Sequence, residues 1–334
     1  SGSQNNSPAE QNFTIDQIFS SLPEFKSRGI TELTIADRIF SSDKNGILRL
    51  AAGIKKHCPD LFFSLLVDPQ VIDPKFISVM QELFVSLEMN LEGSVKNGKL
   101  LFDKKLFSRK CAMLNDAGMI FGFNMNWGEQ EGDTFKSFRD RIDFAVSLYP
   151  NHIDFGRLEN EPYSDPASTG IYSSKDLDFS RGMAFACNTF YSEGRAVPWF
   201  NSVMKALKIN PSAFFSDFEE FQLCNNCSFE VGFNPKEAGH KAIEKLQLMF
   251  LGQKFAEKQK SHYMPAVRDM VQLNGAFSRV MESRSEETIE TSYHPDDLLS
   301  PYAFSIQDFV ENVTMESCQV TVFDTPEGPD YRVG

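Results

Sequence analysis

Cysteine is scarce in this chain. Six cysteines in 334 residues (Cys58, Cys111, Cys187, Cys224, Cys227 and Cys318) fall far short of the density of a disulfide-stapled secreted domain, so a reducing, cytoplasmic setting is expected. No apolar run has membrane-spanning length, and no signal peptide is read. Basic residues are in deficit. The formal net charge is −13, which argues against nucleic acid as a partner, because such binders carry a basic patch. Only 2 tryptophans occur, against 32 phenylalanines. The phosphate-binding loop is lacking too: Gly128-x-x-x-Gly132 has the glycines but no following lysine, so it is expected to shape a turn before a helix.

At 41% hydrophobic residues the chain can build a sizeable core in one large domain or two ordinary ones. The opening SGSQNNSPAEQ is small and polar; residues 1–13 are expected to be a disordered tail or tag. The most informative stretch runs from Phe84 to Leu158. In Val85–Glu92, parity puts Val85, Leu87, Met89 and Leu91 on one face and Ser86, Glu88, Asn90 and Glu92 on the other, which is the signature of a strand. In Gly122–Trp127 the odd positions Phe123, Met125 and Trp127 are apolar, and Asn124 and Asn126 are polar. Two strands with a polar face suggest a ligand cavity, since a purely structural barrel interior is filled by Val, Ile and Leu.

Taken in order, Thr14 caps a helix to Ser27. A strand follows at Thr31–Ile35, then a helix from Ser42 or Asp43 to Lys56, and a strand at Leu61–Val67. Pro74 starts a helix to about Phe84, and the strand Val85–Leu91 comes next. Asp103 caps a helix to Ala117, with Gly118 at its C-cap. The strand Met119–Asn126, a helix from Asp133 or Thr134 through Ser147, and a strand Ile153–Leu158 complete the series. Strands alternating with helices mean a parallel sheet, and its ligands sit at the carboxyl ends of the strands. Those ends carry Asp37, Asp68, Glu92, Trp127 and Arg157–Glu159. Beyond a boundary near Asp165 the chain reads as mostly helical, with possible strands at Thr288–Tyr293 and Gln319–Phe323.

The runs ITELTIADRIFSSDKNGILRLAAGIKKHCPDLFFSLLVDPQVID and DKKLFSRKCAMLNDAGMIFGFNMNWGEQEGDTFKSFRDRIDFAVSLYPNHIDF resemble the barrel of radical S-adenosylmethionine (SAM) enzymes. The resemblance is nearest to members with an N-terminal cobalamin-binding domain, and covers about Thr14 to Phe155. It implies an α/β fold: a partial parallel TIM-like (β/α) barrel over 14–164, then a mainly helical region over 165–334 with a small α/β tail. It implies SAM, an iron–sulfur cluster and cobalamin as cofactors, and radical or methyl transfer on an unknown substrate. The family's cluster is held by a Cys-x-x-x-Cys-x-x-Cys loop after the first strand, since thiolates are the ligands it needs. Here no cysteine precedes Cys58. Either the front of a longer protein is missing from this chain, or the cluster has been lost and the protein is a pseudoenzyme that binds a ligand or a partner. Met89-Asn90-Leu91-Glu92-Gly93 departs from the family's fourth strand, and Asn124 replaces an acidic residue on the fifth.

The candidate ligand-binding residues are Asp37, Glu88, Asn90, Glu92, Asn124, Asn126 and Arg157. Their alternative role is to satisfy one another and ordered water. Glu88 and Glu92 as an acid/base pair, the basis of a lyase or hydrolase, are set apart by ~13 Å along one strand. Cys224-x-x-Cys227 lacks the second ligand pair of a zinc site, so incidental spacing or packing is expected. His152 opens a strand at the end away from the ligand side and is expected to fix the turn. The phenylalanines Phe214, Phe215, Phe218 and Phe221 have helical spacing and are expected in the core. No protein-bound metal is expected.

Overall fold

The computed structural model describes residues 14–159 and 166–334. The expected N-terminal tail and the boundary near Asp165 lie outside the described residues. The strands are β1 (Glu32–Ile35), β2 (Phe62–Leu66), β3 (Val85–Asn90), β4 (Ser94–Lys96), β5 (Lys99–Leu101), β6 (Ile120–Asn124), β7 (His152–Asp154), β8 (Glu287–Thr291), β9 (Cys318–Phe323) and β10 (Asp330–Val333). A five-stranded sheet has the order β1-β2-β3-β6-β7, with helices between its strands. The α/β class read from the sequence is therefore the observed one. The chain divides into two compact units. One holds the chain up to Asn90 with Lys104–Phe121; the other holds Leu91–Asp103 with Gly122 onward.

In the first unit, Thr14 caps the helix Ile15–Ser27 in a reciprocal box with Gln17, which satisfies two otherwise unpaired N–H groups. The helix Lys44–His57, capped by Asp43, buries Ile47, Leu50 and Ile54. It packs against the first helix through Gly53, where a Cβ would lie 2.6 Å from Phe19. β1 pairs with β2 and β2 with β3, all parallel, in a register that sets Ser64 beside Ser86 and Leu66 beside Glu88. The helix Pro74–Met80 starts at its proline under an Asp73 cap and stops four residues short of the expected Phe84. The segment between them is a turn that feeds β3.

In the second unit β6 and β7 pair in parallel, with Gly122 opposite His152. The His152 ring lies over Gly122: a Cβ at 122 would sit 2.1 Å from its Nε2, so a side chain there would displace the ring. β7 is shorter than expected. The strand read through Leu158 ends at Asp154, and Gly156–Glu159 is a helical turn. Thr134, not Asp133, caps the helix Phe135–Ser147. The later helices include Ser174–Cys187, Phe200–Leu207, Pro211–Cys224, His240–Glu257 and Met264–Ser283, with a π-helical turn at Asn188–Glu193. Phe190 is their hub. Its ring centroid is 4.9 Å from those of Phe214 and Phe218 and 5.9 Å from that of Phe200, mostly edge to face. Phe214, Phe215 and Phe218 are fully buried, and Phe221 stacks on Phe218 at 5.8 Å. The tail forms an antiparallel sheet β10-β9-β8.

Candidate functional site

Each polar strand residue has a definite place. In the first unit Asp37 accepts the Ile39 N–H at 2.9 Å and caps the turn Arg38–Ser41. Glu88 is only 9% exposed, although both faces of β3 are buried from Val85 to Met89. Its carboxylate accepts the hydroxyls of Ser86 at 2.7 Å and Ser64 at 3.3 Å, so the polar parity of β3 becomes a bonded network across two strands. Such bonding offsets the cost of burying a carboxylate. Asn90 ends β3 half-buried.

In the second unit the loops after the strands meet. Half-buried Glu92 and Gly93 lead into the hairpin of β4 and β5, which turns at Asn97 and Gly98 with φ of 54° and 69°. Such an Asn-Gly pair is the strongest short-range hairpin signal. The strand and helix patterns on either side, ending at Leu91 and starting at Asp103, do not include this hairpin, whose signal is the Asn97-Gly98 pair alone. The hairpin rests on the loop after β6: Gly93 N–H donates to the Gln130 side chain at 3.3 Å, and a Cβ at Gly132 would lie 3.0 Å from the Gly98 carbonyl. Gly128 and Gly132 take φ of 68° and 74°, which suits the turn-shaping role read for them.

That loop is anchored by a buried ion pair. Asp133 accepts from Arg141 at 2.8 Å, from the Gly128 N–H at 3.0 Å and from the Ser137 hydroxyl; both members of the pair are under 4% exposed. Beside it, Asn126 accepts the Arg157 N–H at 3.1 Å through its side-chain oxygen and donates to Glu129. The Arg157 guanidinium meets Glu129 at 3.0 Å. Asn126 and Arg157, chosen separately from the sequence, are thus joined, with Glu129 as a third member that composition and parity had not marked. Asn124 is half-buried, and its carbonyl accepts the Leu91 N–H at 2.9 Å. The side chain of Glu159 lies outside the described residues. His152 faces Asp154 at 3.5 Å and covers Gly122.

The cysteines do not form a ligand set for an iron–sulfur cluster. Among the described residues, no cysteine belongs to a group of three or more metal-ligating side chains. Burial holds the Cys111 thiol up at about 12, and raises those of Cys187 and Cys227. The Cys58 thiol donates to the Leu22 carbonyl at 3.0 Å. Cys224 is exposed at a helix end, while Cys227 is buried. Among the described residues no helix is long and apolar enough to cross a membrane.

No family model and no curated protein sequence matches the chain. Among solved structures, two of the radical S-adenosylmethionine methyltransferase TsrM from Kitasatospora setae are similar to it. One has tryptophan substrate and the SAM analogue aza-SAM bound, and the other has cobalamin and a 4Fe-4S cluster bound; the TM-scores are 0.36 and 0.35 at 13% identity. The likeness covers 42% of this chain and 30% of theirs. The chain therefore matches under a third of those enzymes' length, and at this level nothing about ligand or reaction passes from them to it.

Proposed function

We propose that this chain is a ligand-binding α/β protein of radical-SAM-like type, and that it holds a polar small molecule, with S-adenosylmethionine the first candidate, at the carboxyl ends of β6 and β7. The observation that carries the reading is the Asn126–Glu129–Arg157 cluster. It lies where parallel sheets place their ligands, and the residue runs that resemble radical SAM barrels lead into it. Asn126 fixes the backbone at Arg157. The ion pair holds the guanidinium, 15% exposed, against a carboxylate that is 46% exposed. A ligand carboxylate can exchange for Glu129 in that pair, because arginine recognises carboxylates through paired N–H donors. Asn124 and Glu92 would then offer hydrogen bonds to the ligand's ammonium or hydroxyl groups.

Radical or methyl transfer requires a cluster that this chain's six cysteines do not hold, so no reaction step is assigned. A cluster-holding loop or a cobalamin-binding domain elsewhere in a longer protein is compatible with this reading.

Calorimetric titration with SAM tests the proposal. Saturable heat is expected, with affinity at least tenfold lower in Arg157→Gln and reduced in Asn124→Ala. Absence of heat, or equal affinity in all three proteins, would overturn it.

A further inference from the structure

A separate cavity of about 650 Å³ opens past the end of β7, inside the second unit. Asp154, the last residue of that strand, contributes a half-buried carboxylate to its wall. Four phenylalanines, Phe155, Phe185, Phe229 and Phe233, line it beside the polar side chains of Asn188 and Asn234, and Lys236 is its one basic member. Phe155 and Phe185 are 2% and 6% exposed and form fixed walls; Phe229 and Phe233 are half-buried. The Phe185 and Phe229 rings meet edge to face at 5.6 Å. One cation already uses this aromatic surface: the Arg181 guanidinium lies 5.6 Å from the Phe229 centroid.

The size and lining restrict the occupant. A volume of about 650 Å³ suits an organic molecule of modest size. Phenyl faces are negative at the centre and attract organic cations, most strongly where water is excluded. A carboxylate beside such rings favours the same charge. Lys236 disfavours a polycation, so a single positive centre fits best. The formal charge of −13 also raises the local concentration of cations.

We propose that this cavity binds an organic ammonium compound, its cationic head against Asp154 and the surrounding rings and its apolar body along Phe185 and Phe229. The proposal stands on the cavity and does not depend on SAM binding at Arg157.

The test compares choline with 3,3-dimethyl-1-butanol, its uncharged carbon isostere, and with benzyltrimethylammonium, by ligand-observed NMR and calorimetry on the full chain. Both ammonium probes are expected to bind, benzyltrimethylammonium more tightly, with the alcohol at least tenfold weaker than choline. Asp154→Asn should weaken the ammonium probes about tenfold and leave the alcohol unchanged. Phe229→Leu, which keeps apolar volume and removes the ring face, should weaken them several-fold, a loss in the range of an aromatic–cation contact. Circular dichroism and thermal melting establish that both variants fold; if either does not, Phe233→Leu takes its place with the same expected loss. Saturating SAM should leave the choline titration unchanged. Equal binding of choline and its isostere, ammonium affinity indifferent to the folded variants, no binding at millimolar probe, or competition with SAM would each overturn the proposal.

Discussion

Asp133 and Arg141 carry the highest local stakes of any charged pair in the second unit. Both are almost fully enclosed, and the carboxylate also holds the Gly128 N–H and the Ser137 hydroxyl. Removing one member leaves the other charge buried without its partner. Asp133→Asn is therefore expected to lower stability by about 3–5 kcal/mol in denaturant titration. A loss below about 1 kcal/mol would mean that the loop relaxes and water solvates the arginine. Two other residues add opposing slopes to the pH response. Burial, then Glu230 and Glu220, push Glu219 up from 4.5 to about 7. Its raised value means that the folded state keeps a proton the unfolded chain has lost, so this contribution is full below pH 4.5 and disappears as pH rises through about 7. His240 behaves oppositely: burial, then Arg195 and Arg279, lower it from 6.5 to about 4, so its contribution is full above pH 6.5 and is lost as pH falls towards 4. Melting temperature measured from pH 4 to 8 should show the two slopes partly cancelling. Glu219→Gln should remove the falling limb and leave a profile that rises with pH through the His240 range. An identical profile in the variant would show that Glu219 titrates normally.

At the scale of elements, glycines and caps decide where chain segments meet. Gly182 leaves room for the Glu219 carboxylate of the facing helix Pro211–Cys224, since a Cβ there would fall 1.7 Å from it and displace it. The hairpin of β4 and β5 depends on two left-handed turn residues. Gly98→Val puts a β-branched residue at positive φ, which costs of order 1–2 kcal/mol. Amide exchange at Ser94, Lys96 and Leu101, whose positions in the register are the hydrogen-bonded ones, should speed up while that of β8 and β9 is unchanged; unaltered exchange at the hairpin would contradict the turn's role. Much at this scale was legible in the sequence. The cap Thr14, the cap positions 42–43 and 133–134 to within one residue, and the strand starts near Glu32, Phe62, Val85 and Ile120 all show as local patterns. The end of β7 did not show, because Phe155 to Leu158 continue an apolar pattern that a strand or a helical turn can carry equally well.

For the whole molecule, the order of strands and helices could be read from periodicity, as could the mostly helical character of the chain beyond the parallel sheet. The site was only half legible. Parity singled out Asn126, and strand-end position singled out Arg157; Glu129 became a partner only when the loop after β6 folded back over distances no local pattern encodes. The cavity beyond Asp154 likewise joins residues separated by about 80 positions in the chain, among them Phe155 and Phe233.

The most direct measurement is amide chemical-shift mapping of the isotope-labelled chain during SAM addition. Ligand at the ends of β6 and β7 predicts saturable shifts centred on Glu92, Gly93, Asn124 to Gln130 and Arg157, reduced in Arg157→Gln. Shifts that are absent, or confined to the β8–β10 sheet, would contradict the account.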